Sequence, residues 1–137
     1  MGQATVSSLK KKADAIFSKY IRYRDGEQRT DGWWTECITC GTWKPSTQMQ
    51  AGHFVSRKVN SLRYTEINVN GQCYSCNVMR YGEQFQYAKN LDLKYGDNTA
   101  NELHRRRFET HKFTIPELEV IIEEYKQLVK EYENANS

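Results

Sequence analysis

Two Cys-x-x-Cys pairs constrain this chain more than any other feature of its sequence. Cys37 and Cys40 form the first pair, Cys73 and Cys76 form the second, and together they account for all four cysteines. Each pair is typical of a knuckle-like turn that presents two thiolates to one tetrahedral cation, and four thiolates close the coordination shell of zinc. The spacing therefore predicts a structural zinc site with no open position for chemistry. Free core cysteines or a redox pair are the alternatives.

Length and composition indicate one small domain over residues 1–137, with a thin core. The mean hydropathy of −0.85 is low, so a structural metal would help such a domain to stay folded. No apolar run approaches membrane-spanning length, and the N-terminus lacks the pattern of a signal peptide. We therefore expect a protein of the reducing cytoplasm without a membrane partner, where paired cysteines favour a metal over a disulfide.

Apolar periodicity predicts an α+β fold in which helices flank a zinc-stapled core. The N-terminal helix is expected over residues 5–25, the core over 37–95 and the C-terminal helices over 98–134. The apolar stripe of the last helix is expected to pack against the first helix, although it also offers a surface for a homodimer.

Within the core, short extended segments are expected from Cys37 to about Asn70, because glycine and proline interrupt the pattern there. One helix is expected to follow, from near Cys76 to about Tyr95. The apolar residues expected on its inner face are Val78, Tyr81, Phe85, Ala88 and Leu91.

The segment between the two cysteine pairs holds the candidate catalytic residues. A neutral imidazole at His53 can act as general base near pH 7, or the residue can serve packing. Arg57 can hold a phosphate with its guanidinium, or it is an ordinary surface arginine. Asn77 can face a metal or cap a helix, and Asn68 can orient the base, pin the loop or form a turn.

The order of these residues resembles the HNH, or ββα-metal, nuclease motif of the zinc-bound type. That pattern has a CxxC pair, a histidine at the end of a strand, an asparagine five residues before the second CxxC pair, and His or Asn directly after it. The matching residues, between about 37 and 80, are Cys37, Cys40, His53, Asn68, Cys73, Cys76 and Asn77. The resemblance implies a small ββα-metal, treble-clef-like core.

The flanking segments resemble the phage NinG proteins, also called Rap recombination endonucleases, over most of the chain. The segments that carry this resemblance are residues 17–25, 51–57, 62–64 and 72–77. The resemblance implies a phage-encoded nuclease, acting in the bacterial host cell, that cuts branched recombination intermediates such as Holliday junctions and D-loops. It also implies magnesium or manganese as the catalytic ion.

Carried over to this chain, the resemblance makes His53 the general base, Asn77 a ligand of the catalytic ion, and Asn68 an orienting residue. One position departs from the pattern, because most HNH sites have a metal-binding aspartate directly before the histidine and this chain has Gly52. The second ligand must then be water or another residue, and Glu66 and Glu83 are the nearest acids in sequence.

Mild net basicity, +3 at pH 7, is weak support for a nucleic-acid partner, but its distribution is more informative. The cations expected to contact DNA are Arg57, Lys58, Arg105, Arg106 and Arg107, and a basic run at Lys10–Lys12 is either another contact or a solvated face. Trp33 and Trp34 can stack on exposed bases or pack in the core.

Three functions fit this sequence. The first is a structure-selective DNA endonuclease, for which two symmetric cuts across a junction would need a dimer. The second is a non-catalytic zinc-bound DNA-binding module, and the third is a zinc-held protein that binds a protein partner through its terminal helices.

Overall fold

A computed structural model describes residues 4–135 of the chain. Residues 1–3 and 136–137, at the two ends of the expected domain over 1–137, lie outside the described residues. The elements, in chain order, are α1 Val6–Arg24, β1 Gly26–Arg29, β2 Gly32–Glu36, β3 Trp43–Pro45, β4 Gln50–His53, α2 Asn60–Arg63, β5 Val69–Gln72, α3 Gln84–Tyr95, α4 Thr99–Arg105 and α5 Ile115–Ala135. The fold is therefore a mixed α+β fold.

The first and last helices form the largest helix pair. α1 begins in a capping box, in which the side chains of Thr5 and Ser8 each bond the other residue's backbone N–H at 3.0 Å. Phe17 on α1 lies edge-on to Tyr125 on α5, with ring centroids 4.8 Å apart, and Val129 joins the same buried cluster. The apolar stripe of α5 therefore packs against α1 of the same chain.

Two antiparallel sheets lie between these helices and α3. Strands β1, β2 and β3 form a meander, while β4 pairs only with β5 among the described strands. In this second sheet Gly52 lies opposite Asn70, and His53 lies opposite Val69. Since side chains alternate along a strand, His53 and position 52 face opposite sides of the β4–β5 pair. The His53 side faces α1, whereas the Tyr87 hydroxyl of α3 bonds the Gly52 carbonyl at 2.5 Å.

The expectation of one continuous helix from Cys76 to Tyr95 is wrong in its first half. Residues Ser75–Met79 form a single wide π-helical turn, and α3 begins only at Gln84. Between them, Tyr81, Gly82 and Glu83 have φ angles of 55°, 89° and 50°, in the left-handed region that an α-helix cannot use.

Hydrogen bonds between Gly82 and the second cysteine knuckle and strand β5 explain this break in the helix. The Gly82 N–H donates to the Cys76 carbonyl at 2.8 Å, and the Gly82 carbonyl accepts from the side-chain amide of Gln72 at 2.9 Å. The turn is thus folded back onto the second cysteine knuckle. Of the residues expected on the inner face, Tyr81 and Phe85 are instead 90% and 79% exposed.

Candidate functional site

All four cysteines of the chain come together in one cluster. Their Sγ atoms lie within 4.8 Å of one another, and those of Cys40 and Cys73 are 3.8 Å apart. A tetrahedral zinc ion with Zn–S bonds of about 2.3 Å separates its sulfur ligands by roughly 3.8 Å. The number, type and spacing of these ligands therefore fit zinc.

The protonation of these thiols depends on whether a cation is bound. Burial raises the pKa of Cys73, and it raises the pKa of Cys76 to about 12. Burial also opposes ionisation of Cys37, but its hydrogen bond with Thr39 brings the pKa of this thiol to about 7. Four neighbouring thiolates repel one another, so a dication is needed to hold all of them ionised.

The cysteine cluster connects β2, β3 and β5 to the residue that follows the second pair. The backbone N–H of Ile38, in the first knuckle, donates to the Gly71 carbonyl of β5 at 2.8 Å. In the second knuckle, the backbone N–H of Asn77 donates to the Cys73 carbonyl at 2.9 Å. The cluster therefore fixes the backbone that carries Asn77.

A cavity of about 360 Å³ lies beside this cluster and brings together three of the predicted site residues. His53 reaches it from the end of β4, Asn77 from the π-helical turn, and Arg57 from the loop after β4. The side-chain amide of Asn77 donates to Gln50 Oε1 at 2.7 Å, which leaves its own oxygen without a donor among the described residues.

His53 is held in one orientation by the backbone. Its Nε2 atom lies 3.1 Å from the carbonyl oxygen of Arg63. Because a carbonyl can only accept, Nε2 must carry the proton, and the lone pair of the neutral ring is then on Nδ1. Burial lowers the pKa of His53 below its ordinary value, which favours this neutral form near pH 7. The ring has the protonation state that a general base needs.

Asn68 is fully buried and does not line the cavity. Its side chain accepts from the backbone N–H of Val55 at 2.8 Å and donates to the carbonyls of Val55 and Leu62 at 3.0 and 3.2 Å. These three bonds tie the loop that follows His53 to the residues just before β5. Asn68 therefore contacts the loop and not the cavity. Of the three roles considered for it from the sequence, these bonds correspond to pinning the loop.

Gly52 has no room for the aspartate that most HNH motifs carry. A Cβ atom at this position would lie 2.0 Å from Oε1 of Gln72, a fully buried side chain on β5. A side chain here would also face away from the cavity that His53 lines. The absence of a carboxylate at position 52 is therefore built into the packing of this hairpin.

The structure does not bring the two acids nearest in sequence into the cavity. Glu66 accepts the hydroxyl of Tyr20 at 2.8 Å and that of Tyr125 at 2.9 Å, one on each carboxylate oxygen, between α1 and α5. Glu83 lies in the left-handed turn before α3 and is not among the residues that line the cavity. Glu66, predicted as a metal ligand, is instead the polar centre of the helix pair.

The acid that does line the cavity is Asp14, on α1. Arg63 bonds both of its carboxylate oxygens, from Nε at 2.9 Å and from its terminal nitrogen at 2.5 Å, and the Tyr64 hydroxyl donates at 2.8 Å. Burial alone would raise the pKa of Asp14, but these hydrogen bonds outweigh it and hold the pKa below its usual value. No motif marked this residue, because it reaches the site only through the packing of α1.

The basic residues predicted to contact DNA divide into two groups. Arg57 and Lys58 are exposed, and Arg57 lines the cavity. In the second group, Arg105 pairs with Glu102 and Arg106 with Glu109, while Arg107 donates to a backbone carbonyl three residues earlier. Acids close in sequence therefore pair with two of the three arginines in this second group.

The two adjacent tryptophans have different surroundings. Trp33 packs edge-on to Tyr23 at 5.1 Å and donates its indole N–H to the Tyr23 carbonyl at 3.2 Å, so its role is core packing. Trp34 lies on the opposite face of β2, with the guanidinium of Arg29 4.8 Å from its ring.

A mixed α+β fold of this size, with every cysteine in one cluster beside a cavity holding histidine and asparagine, defines a small protein with a candidate structural metal centre. The chain belongs to the NinG family, because the family model described as "Bacteriophage Lambda NinG protein" matches residues 4–135.

Curated relatives agree with this assignment. Protein ninG of Escherichia phage lambda is 31% identical over 128 residues, which cover 93% of this chain and 58% of the relative. Protein ninG of Salmonella phage P22 is 30% identical over 131 residues, with 93% and 59% covered. The chain thus spans a little under three fifths of the length of these relatives. No solved structure matches it. Among residues 4–135, no helix combines the length and apolar character needed to cross a bilayer.

Proposed function

We propose that this chain is a metal-dependent DNA endonuclease of the HNH, or ββα-metal, type that cuts branched recombination intermediates such as Holliday junctions or D-loops. The observation that carries the proposal is the cavity, in which a histidine with its lone pair on Nδ1 meets Asn77 and Arg57 beside a four-cysteine cluster. Membership of a phage family supports a phage-encoded protein that acts on DNA in the cytoplasm of the bacterial host.

The side chains at the cavity fit a magnesium or manganese ion, which prefers oxygen ligands and keeps several of its waters. Asn77 would hold the ion through its side-chain oxygen. Asp14 is the carboxylate of the same cavity, and its Oδ2 atom accepts only from Arg63 within hydrogen-bond distance, which leaves one lone pair for an ion. When bound, the ion supplies Lewis acidity to the phosphoryl oxygen and to the leaving 3′ oxygen.

The residues of the chain perform the rest of the reaction. Nδ1 of His53 removes a proton from water, and the resulting hydroxide forms a bond to phosphorus as the bond from phosphorus to the 3′ oxygen breaks. The imidazolium that forms lies near the carboxylate of Asp14, which favours its charge. Arg57, whose side chain is 64% exposed and lines the cavity, would hold the phosphate with two N–H groups. The leaving 3′ oxygen takes a proton from solvent water, and His53 returns its proton to solvent, so the products are a 5′-phosphate and a 3′-hydroxyl.

One observation favours a second candidate function, a non-catalytic zinc-bound DNA-binding module. Gln72 fills the space beside Gly52, so the aspartate that binds the ion in most HNH sites cannot be restored without repacking. In that case His53 and Asn77 hold the loop and the turn in place, and the cavity binds a phosphate without cutting the chain.

A nuclease assay distinguishes the two functions. Zinc-loaded protein is incubated with a labelled four-way junction and with a matched linear duplex, each with Mg²⁺, Mn²⁺ or a chelator. We expect metal-dependent cutting of the junction, reduced by about 10²–10⁴-fold in His53→Ala, because this variant lacks the general base. His104→Ala is the matched control, since His104 is exposed on α4 and lines no part of the cavity.

The outcomes separate the parts of the proposal. Equal cutting of junction and duplex keeps the endonuclease and removes the preference for branched DNA. Cutting that survives in His53→Ala overturns the role of His53. Binding of DNA with no cutting under either ion favours the DNA-binding module.

A further inference from the structure

A second concavity, of about 380 Å³, adjoins the candidate catalytic cavity. The two share Asp14 and Arg57, so they lie side by side along α1 and the loop after β4. The residues that line the second concavity are Ser7, Lys10, Lys11, Asp14, Arg57 and Arg63.

The charge of this second concavity is strongly positive. Four cations line it against one acid, and Arg63 already neutralises that acid through its bonds to Asp14. Lys11 is exposed. The Lys10 ammonium donates to Asn60 Oδ1 at 3.2 Å and lies 5.8 Å from the ring centroid of Phe113, and an ammonium has three N–H donors in all. The four cations therefore exceed the one acid by about three charges. Because Arg57 also lies 3.9 Å from Oδ2 of Asp14, Lys10 and Lys11 are the cations of this lining without an acidic partner among the described residues.

Helical geometry explains why these lysines lie in line with the catalytic cavity. Ser7, Lys10, Lys11 and Asp14 follow one another at steps of three, one and three residues, which places them on one face of α1. Four residues of α-helix rise about 6 Å, and successive phosphates of one DNA strand are about 3.4 Å apart along the duplex axis. A phosphate at His53 thus leaves its neighbours on the same strand within reach of Lys10 and Lys11.

We propose that this second concavity is a phosphate subsite, in which Lys10 and Lys11 bind the DNA strand next to the cut phosphate that Arg57 holds. This inference rests on the proposed function, because it takes the ligand at His53 to be DNA. It assigns the main backbone contact to α1 and not to Arg105–Arg107, of which Arg105 and Arg106 pair with acids and Arg107 donates to a backbone carbonyl.

The salt dependence of DNA binding tests this subsite. Binding of a labelled duplex to His53→Ala protein is measured without added Mg²⁺ or Mn²⁺ over a range of salt concentrations, with and without the pair Lys10→Gln and Lys11→Gln. Each lysine that contacts a phosphate contributes about 0.9 to the slope of log affinity against log salt, so we expect the slope to fall by roughly two. Lys126→Gln with Lys130→Gln is the matched control, since both lysines are exposed on α5 and line neither concavity.

Each outcome decides one question. A fall in slope confined to the Lys10 and Lys11 variant supports the subsite. Salt-dependent binding by the parent protein with an unchanged slope in this variant, or an equal fall in the control pair, overturns the subsite and leaves the proposed function standing. His53→Ala protein that does not bind DNA, together with wild type that does not cut it, overturns the proposed function itself. Lys11→Gln alone, at an exposed position, gives half the effect if the double variant fails to fold.

A second measurement identifies which phosphate the subsite holds. Phosphates on either side of the cut are replaced one at a time by uncharged methylphosphonates, and cleavage is compared between wild type and the Lys10 and Lys11 variant. One replacement is expected to slow wild type severalfold and to have no further effect in the variant. Effects that multiply independently at every position would overturn the assignment.

Discussion

The two sides of the β4–β5 hairpin each carry a cluster of charges, but the two clusters differ in how fully they are bonded. On one side, Asp25 accepts from Arg24, from Lys94 and from the backbone N–H of Gly71, and the side-chain oxygen of Asn70 accepts from the same two cations. On the other side, Arg63 donates to Asp14, while the polar side chains of His53 and Arg57 line a cavity.

This difference shows which buried polar groups serve structure and which are available for chemistry. A larger concavity, of about 690 Å³, lies beside the Asp25 cluster, yet Arg24, Asp25 and Lys94 in its lining already bond one another. The smaller cavity at His53 contains a lone pair and an amide oxygen without partners among the described residues. Unsatisfied bonding capacity, and not cavity size, therefore marks the candidate catalytic side.

The largest effect is expected from Cys76→Ala, because the cysteine cluster supports both sides of the hairpin. A structural zinc site contributes on the order of 10 kcal/mol to folding in small domains, so we expect this variant to lose cooperative thermal unfolding. Zinc released on denaturation should fall from about one equivalent in wild type to none. A variant that keeps the wild-type melting temperature without zinc would contradict the structural role of the cluster.

A smaller loss is expected from Asp25→Asn, on the fully bonded side. Removing the carboxylate leaves Arg24 and Lys94 without their anion, and breaking a buried ion pair costs about 3–5 kcal/mol in the free energy of unfolding. Chemical denaturation measures this loss, and DNA cutting per folded molecule should stay unchanged. Glu133→Gln, which breaks the exposed pair with Lys19, is the control and should cost about 0–1 kcal/mol.

Asp14→Asn, on the side of the hairpin that carries the His53 cavity, should lose less stability and more DNA cutting than Asp25→Asn. The Asp14 side chain is 22% exposed against 7% for Asp25, so we expect a loss of only about 1–3 kcal/mol in stability. Cutting should fall about 10- to 100-fold, since Arg63 carries the carbonyl that orients His53 and since the variant lacks a candidate ion ligand. Asp97→Asn, at an exposed loop position, should change neither quantity. Full activity in Asp14→Asn would remove Asp14 from the site.

The smallest effect is a difference in acid sensitivity. Burial lowers the pKa of His53 below 6.5, so below that pH the unfolded chain binds a proton that the folded chain does not. The stability from neutral His53 is therefore complete above pH 6.5 and is lost as the pH falls towards the lower folded pKa. Burial alone would raise the pKa of Asp25, but its hydrogen bond with Arg24 outweighs burial and lowers this pKa. The Asp25 cluster therefore loses stability only in stronger acid, below about pH 4.

The free energy of unfolding of wild type and of His53→Gln, followed from about pH 7.5 to about pH 5, measures this effect. Wild type should lose stability relative to the variant over the acid part of that range, because only wild type carries the titrating imidazole. Two parallel curves would contradict the lowered pKa of His53.

Sequence patterns are sufficient for the parts of this fold that local chemistry determines. The spacing of the cysteines predicts their cluster, and the apolar repeat that contains Phe17 predicts α1. The order of His53, the second cysteine pair and Asn77 resembles the HNH motif, and this resemblance predicts that His53 and Asn77 share a site; both line the same cavity. In each case the information lies in residues that are close in sequence or that bind one metal.

The features that sequence patterns missed depend on long-range packing. Asp14 enters the site because α1 packs across β4, and nothing in its own segment indicates this. Glu66 is close to the motif in sequence, but two tyrosine hydroxyls from distant helices hold it elsewhere. The left-handed residues from Tyr81 to Glu83 occur where bonds from Gly82 to the second cysteine knuckle outweigh local helix propensity.

The packing of α1 against α5 also determines when the cavity can form as the ribosome produces the chain. The hydrogen bond between Tyr23 and Glu133 spans 110 residues, whereas both cysteine knuckles are complete once Cys76 has been made. Contacts of such wide sequence separation form late, and α1, which carries Asp14, has no helix to cover its apolar stripe until α5 is synthesised. We therefore expect nascent chains that stop before residue 115 to bind zinc but to leave Asp14 unprotected from solvent exchange. Zinc capture would then come first during synthesis, and the complete His53 cavity would come last.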